Sequence, residues 1–207
     1  MRTSIRSSVI RWWLPLLAVA GVAGPLCARA EDVPQQAVWA EKTIIFHYTG
    51  FTAKYSCDGL RDKVRDFIRQ FGASKDATVY EYGCSTTQGR PDPFPSVRIK
   101  MKVLQPEGAA DTGKPPPHVK HSGAKPAAPS APVPAEWKTV QLRLDGSAIN
   151  ESGQCELVEQ LSHAVLPLFT TRNVELSSNC IPHQASAGSP RLQADVLVPV
   201  AGETAKR

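Results

Sequence analysis

Branched and aromatic residues crowd positions 43–48 (Thr43, Ile44, Ile45, Phe46, His47, Tyr48), which predicts a strand. Further on, Leu60, Val64, Phe67, Ile68 and Phe71 recur at spacings of three and four, which predicts a helix over residues 58–71 with one apolar face. Ser56 or Asp58 stands where a cap is needed, and Gly72 where a left-handed residue ends a helix. On the polar side Arg61, Arg65 and Arg69 are like-charge neighbours, while Asp62 and Asp66 can pair with Arg65 and Arg69. Residues 78–82 predict a second strand ending at Gly83 and Cys84. The clearest alternation covers residues 97–104: Val97, Ile99, Met101 and Val103 point one way, and Arg98, Lys100 and Lys102 the other.

The same order then returns. Val140, Leu142 and Leu144 alternate over residues 138–144. Leu157, Leu161, Ala164, Val165 and Leu168 give a helical face over residues 154–169, with Pro167 placed to distort its last turn. Residues 174–176 and 191–200 predict two more strands. The two openings, Ala40-Glu41-Lys42-Thr43 and Ala135-Glu136-Trp137-Lys138-Thr139, lie 96 residues apart at their threonines. The first cysteines, Cys57 and Cys155, lie 98 apart, and the second, Cys84 and Cys180, lie 96 apart.

The chain therefore reads as an α+β protein made of tandem duplicated β-α-β-β units, a first unit over residues 31–105 and a second over 136–201, followed by a tail at 202–207. Its layout is ferredoxin-like, an analogy of arrangement that carries no function. In each unit a right-handed crossover brings the helix start and the end of the second strand to one edge of the sheet. That predicts one disulfide per unit, Cys57–Cys84 and Cys155–Cys180, although four cysteines allow two other pairings. A unit of this size has a small core, so the copies are expected either as two disulfide-pinned sandwiches or as one pseudo-twofold domain with a six-stranded sheet.

Composition changes the picture at the ends. Residues 1–30 read as a secretory signal peptide: Arg2, Arg6 and Arg11 precede an apolar stretch over 12–22, and Ala28-Arg29-Ala30 places cleavage before Glu31. Leu26 before Cys27 does not fit a lipoprotein signal, so Cys27 is expected to leave with the peptide. The net charge of +5 shrinks to about +1 without the signal's four arginines, which removes any general pull on nucleic acid. No later stretch is long enough to span a bilayer, so the cleaved chain is expected to be soluble in the periplasm or secreted. Residues 106–135 hold eight prolines and read as a Pro/Ala-rich linker.

Candidate chemistry is sparse. There is no Cys-X-X-Cys, nucleophile elbow, phosphate loop or dinucleotide fingerprint. His118 and His121 in the linker are weak metal candidates without further ligands. Asp58, Asp62 and Asp66, and likewise Glu156 and Glu159, read as solvated helix surface. Arg98, Lys100 and Lys102 either block strand pairing at an edge or receive an acidic partner. With Tyr48, Tyr80 and Tyr82 they make the first unit the candidate binding half.

The expectation is an exported, non-enzymatic binding or accessory protein without a cofactor, whose partner is an envelope protein or peptide. Two alternatives stand beside it. One is a cell-envelope hydrolase with a site between the units, for which His47, His163 or His183 must meet a carboxylate or serine. The other is weak copper or zinc handling through His118 and His121.

Overall fold

The computed structural model describes residues 34–85, 90–108, 130–142, 154–178, 181 and 190–200. Residues 1–33, where the signal segment and its cleavage site are expected, and His118, His121, Cys180, His183 and residues 201–207 lie outside the described residues. Strand β1 (Gln35–His47) begins well before Thr43, where the sequence predicts the strand to start. The reason is a second set of apolar contacts. Ala37 packs with Leu104, Ala135 and Leu197, and Trp39, Val133 and Trp137 close over them. Helix α1 (Cys57–Gln70) follows, then β2 (Thr78–Glu81) and β3 (Ser96–Pro106). Strand β4 (Val133–Gln141), helix α2 (Gln154–Ala164), β5 (Thr171–Ser177) and β6 (Arg191–Pro199) complete the order.

The six strands form one sheet, in the order β2-β3-β1-β4-β6-β5, and every neighbouring pair is antiparallel. In each half the third strand lies between the other two, so β1 and β2 run the same way with β3 between them, as β4 and β5 do with β6. The β1–β3 ladder is long, from Ala37 opposite Pro106 to His47 opposite Ser96. The halves meet over three rungs only: Gln35–Ala135, Gln36–Pro134 and Ala37–Val133. Pro134 is thus strand rather than linker, and its carbonyl accepts the Val200 N–H at 3.1 Å.

Both helices pack on one face of this sheet. Leu60, Val64, Phe67, Ile68 and Phe71 from the first and Leu157, Val158, Leu161 and Val165 from the second share a core with Ile44, Phe46, Val97, Ile99, Ala194 and Val196. The helix ends follow local chemistry. Ser56 Oγ accepts the Gly59 N–H at 3.2 Å, and Gly72 takes φ 86°. Pro167 does break the second helical run, because a proline cannot donate into a helix. The run ends at Ala164 and continues as a short 3₁₀ turn, Leu166–Leu168. Three residues past β1, Gly50 has no room for a side chain: a Cβ there would run into the Tyr48 ring.

Cys57 and Cys84 are bridged, with their Cα atoms 6.3 Å apart, tying the start of α1 to the chain just past β2. Cys155 is also disulfide-bonded, at the start of α2.

One tie between the halves was not visible as a pattern. Glu156, in the first turn of α2, is not simply solvated helix surface. Its Oε2 accepts the Phe51 N–H at 2.8 Å, the Thr52 N–H at 3.2 Å, the Thr52 hydroxyl at 3.0 Å and the Tyr48 hydroxyl at 3.5 Å. One turn on, Gln160 accepts the Thr49 N–H and donates to the Thr49 carbonyl, both at 3.1 Å. The second half's helix thus reads the backbone of the first half's turn. Hydrogen bonds to a carboxylate are worth more than neutral ones, so Glu156→Ala is expected to cost about 2 kcal/mol in urea unfolding. Glu156→Gln, which keeps an acceptor oxygen, is expected to cost about half as much.

Candidate functional site

Alternation along the sheet sends one set of side chains into the helix-covered core and the other to the opposite face. In the first half the second set includes Tyr80 and Tyr82, Arg98, Lys100 and Lys102, and His47. Tyr80 is opposite Arg98 in the ladder, and Arg98 is opposite Ile45, so these three make one row across the face. Thr78, Lys100 and Thr43 make the next. Tyr80 is 52% exposed and Tyr82 37%. The Arg98 guanidinium stacks over the Tyr82 ring at 4.6 Å, an arrangement that flattens both groups against the sheet.

Arg98 and Lys100 do not sit on an edge. Strand β3 lies between β2 and β1, so these cations cannot act by blocking edge pairing. Lys102 differs from its two neighbours. Its Nζ is 2.9 Å from Asp76, and the hydrogen bond to that carboxylate raises its pKa above the ordinary lysine range. Asp76 is held below the usual carboxylate range by a hydrogen bond from Ser74 and then by Lys102. Lys102 is already neutralised, whereas Lys100 makes no ion pair among the described residues.

Tyr48 is not part of this surface. It is 1% exposed, edge-on to Tyr55 at 5.0 Å, and its hydroxyl donates to the Ala53 carbonyl and to Glu156. Burial, then Tyr55, then Glu156 raise its pKa well above the ordinary phenol range, so it stays a neutral core group. Tyr48, just past the end of β1, stays in phase with Ile44 and Phe46 on the helix-covered side, whereas Tyr80 and Tyr82 alternate to the other face.

One end of the face is built around Ser96. His47 Nδ1 is 2.7 Å from Ser96 Oγ, and that hydroxyl donates to the Phe94 carbonyl at 3.3 Å. Phe94 stands beside it, 74% exposed. The proline-rich turn that carries it is pinned by Asp92, which is buried. The Asp92 carboxylate accepts the Ser85 N–H at 2.7 Å, the Ser85 hydroxyl at 2.9 Å and the Phe94 N–H at 2.9 Å. Pro91, Pro93 and Pro95 rule out regular structure here, but nothing in the sequence singles out Asp92 as the residue that organises the turn.

The other described histidine lies elsewhere. His163 is exposed on α2, away from the helix-free face that carries His47. Among the described residues these two do not converge with each other, and no group of three or more His, Cys, Asp or Glu side chains is placed to hold a metal. Among the same residues no helix is long and apolar enough to cross a membrane.

The second half has a different face. Arg172 stacks on Trp137 at 4.4 Å, and Asp195 ties Arg172, Thr139 and Asn173 together. The hydrogen bonds from Thr139 and Asn173 hold Asp195 below the usual carboxylate range. These charged groups satisfy one another, whereas in the first half Arg98 and Lys100 have no carboxylate partner among the described residues. No protein-family model, curated protein or solved structure matches the chain.

Proposed function

We propose that this chain is an exported, non-enzymatic binding protein of the periplasm or the cell exterior, released by cleavage before Glu31, and that it contacts an envelope protein or peptide through the helix-free sheet face of its first half. The observation that carries the reading is the Tyr80, Tyr82, Arg98 and Lys100 surface. Tyrosine and arginine give large contact area and directional hydrogen bonds, and they are the residues on which interfaces concentrate their energy. A disulfide between Cys57 and Cys84 fits an oxidising compartment.

The scaffold behind this surface is read as a tandem duplication of a β-α-β-β unit in a ferredoxin-like layout. Supporting it, Thr43 faces Lys100 as Thr139 faces Asp195, and the Ala37–Val133 rung at the junction carries the same 96-residue offset as the two threonines. Duplication explains why the halves share a skeleton and differ in their exposed faces. One copy carries the contact surface, and the other braces it through Glu156 and Gln160.

The test is site-specific photo-crosslinking in cells that export the protein, with the reactive group at Tyr80 or, as a control, at Gln193 on the second half's face. A discrete adduct at Tyr80, lost with Arg98→Ala and not formed from Gln193, supports the reading. Equal adducts from both positions, or none at Tyr80, contradict it.

A further inference from the structure

Strand β2 lies at one end of the sheet, and among the described residues no strand pairs with its outer side. The Tyr82 N–H donates to the Ser96 carbonyl of β3 at 2.9 Å. Alternation along a strand therefore turns the N–H and C=O groups of Val79 and Glu81 outward, away from β3. Alongside this edge, on the helix side, α1 presents Arg61, Arg65 and Arg69, and the two elements enclose an open groove of about 510 Å³.

We propose that this groove takes an extended acidic peptide, added to β2 as a further antiparallel or parallel strand, with its carboxylates on the arginine row. The spacing matches. Helix residues four apart rise about 6 Å along the axis, and alternate side chains of an extended chain lie about 6.7 Å apart. A peptide with an acidic residue at every second position thus brings one carboxylate to each arginine while its backbone completes the ladder. Strand addition supplies affinity through main-chain hydrogen bonds and specificity through alternate side chains.

The molecule already contains a copy of one such contact. Glu81, which belongs to β2 itself, reaches across the groove to Arg61 at 2.7 Å. Its carboxylate marks the position and the chemistry that an incoming glutamate or aspartate would use. Arg65 is held by Asp62 at 3.0 Å, and Arg69 makes no ion pair among the described residues; the expected Asp66–Arg69 pair is not formed. The row therefore has cationic capacity left at its far end. A peptide is favoured over a general polyanion because only a peptide backbone pairs with the outward groups of Val79 and Glu81.

The inference is separate from the sheet-face reading, since the arginines lie on the helix side of the same edge. It is tested by fluorescence anisotropy on the exported, disulfide-bonded protein with a short labelled peptide of alternating Glu and Thr. The wild-type protein is expected to bind it. Arg65→Gln with Arg69→Gln is expected to weaken binding at least about tenfold, as lost charge-assisted hydrogen bonds require. Glu81→Gln removes one of the two carboxylates on Arg61, the other being Asp62 at 2.9 Å, and is expected to tighten it. N-methylation of alternate peptide nitrogens on the pairing side is expected to abolish it. Binding that ignores N-methylation marks a general anion surface and overturns the proposal, as does an absence of binding by the wild-type protein or indifference to the arginine changes. Arg98→Ala with Tyr82→Ala alters the sheet face and leaves the groove, so its retained peptide binding keeps this inference distinct from the crosslinking result. Loss of peptide binding in that variant, with circular dichroism unchanged, assigns the peptide to the face and overturns the groove.

Discussion

Phe71→Ala is expected to destabilise both halves of the protein together, by about 3–5 kcal/mol, the usual cost of removing a fully buried phenylalanine. Phe71 caps the end of α1, with its ring 4.7 Å from Phe67 of that helix and 6.4 Å from Phe169, which follows the 3₁₀ turn after α2. It belongs to a core to which both halves contribute. Removing the ring therefore leaves a cavity between the halves rather than within one of them. Urea unfolding followed by circular dichroism is expected to show one transition at a lower midpoint with an unchanged slope. Phe71→Leu retains most of the volume and is expected to cost less than half as much. A second transition appearing in the alanine variant would mean that the halves unfold separately.

Removing the first disulfide, as Cys57→Ala with Cys84→Ala, is the other large effect. The bridge spans 27 residues, and closing such a loop in the unfolded chain is worth about 3.5 kcal/mol in the chain-entropy account. The loss is expected to lower the thermal midpoint by roughly 10 °C for a domain of this size. The paired variant is preferable to chemical reduction, because Cys155 is also disulfide-bonded and a reductant acts on both sites. The effect on function is expected to be local. The bridge joins the start of α1 to the end of β2, the two elements that border the arginine groove. A loss of less than about 1 kcal/mol would contradict the account in which the bridge constrains the unfolded chain.

Much of this fold is legible in local pattern. The amphipathic run from Leu60 to Phe71 became α1 because its apolar spacing matches a helical turn. The strict alternation from Val97 to Val103 became β3 because a sheet covered on one face rewards it. The cysteine spacings pointed to Cys57–Cys84, since the β-α-β order brings those positions together. What was not legible depends on partners distant in sequence. Residues 35–42 lack a strong strand signature, and they are extended because Leu104, Ala135 and Leu197 offer them a second apolar cluster. Glu156 looks like any acidic residue in a first helical turn until the turn at residues 48–52 is brought against it. Tyr48 and Tyr82 look equivalent as aromatics, and only the side of the sheet that the helices cover, shared by Tyr48 with Ile44 and Phe46, separates core from surface. Arg61, Arg65 and Arg69 were visible as like-charge neighbours. Their use against an open strand edge required knowing that β2 ends the sheet.

The central structural claim is that two β-α-β-β halves, joined by only three strand rungs, fold as one unit around a common core. Native-state hydrogen exchange resolved by peptide tests it most directly. Amides of β3 at Ile99 and Met101 and of β6 at Ala194 and Val196 are expected to exchange through the same opening, with equal free energies and equal dependence on low urea concentrations. If the second half's amides exchange at a clearly lower free energy while those of β3 stay protected, the halves open independently and the shared-core account is wrong.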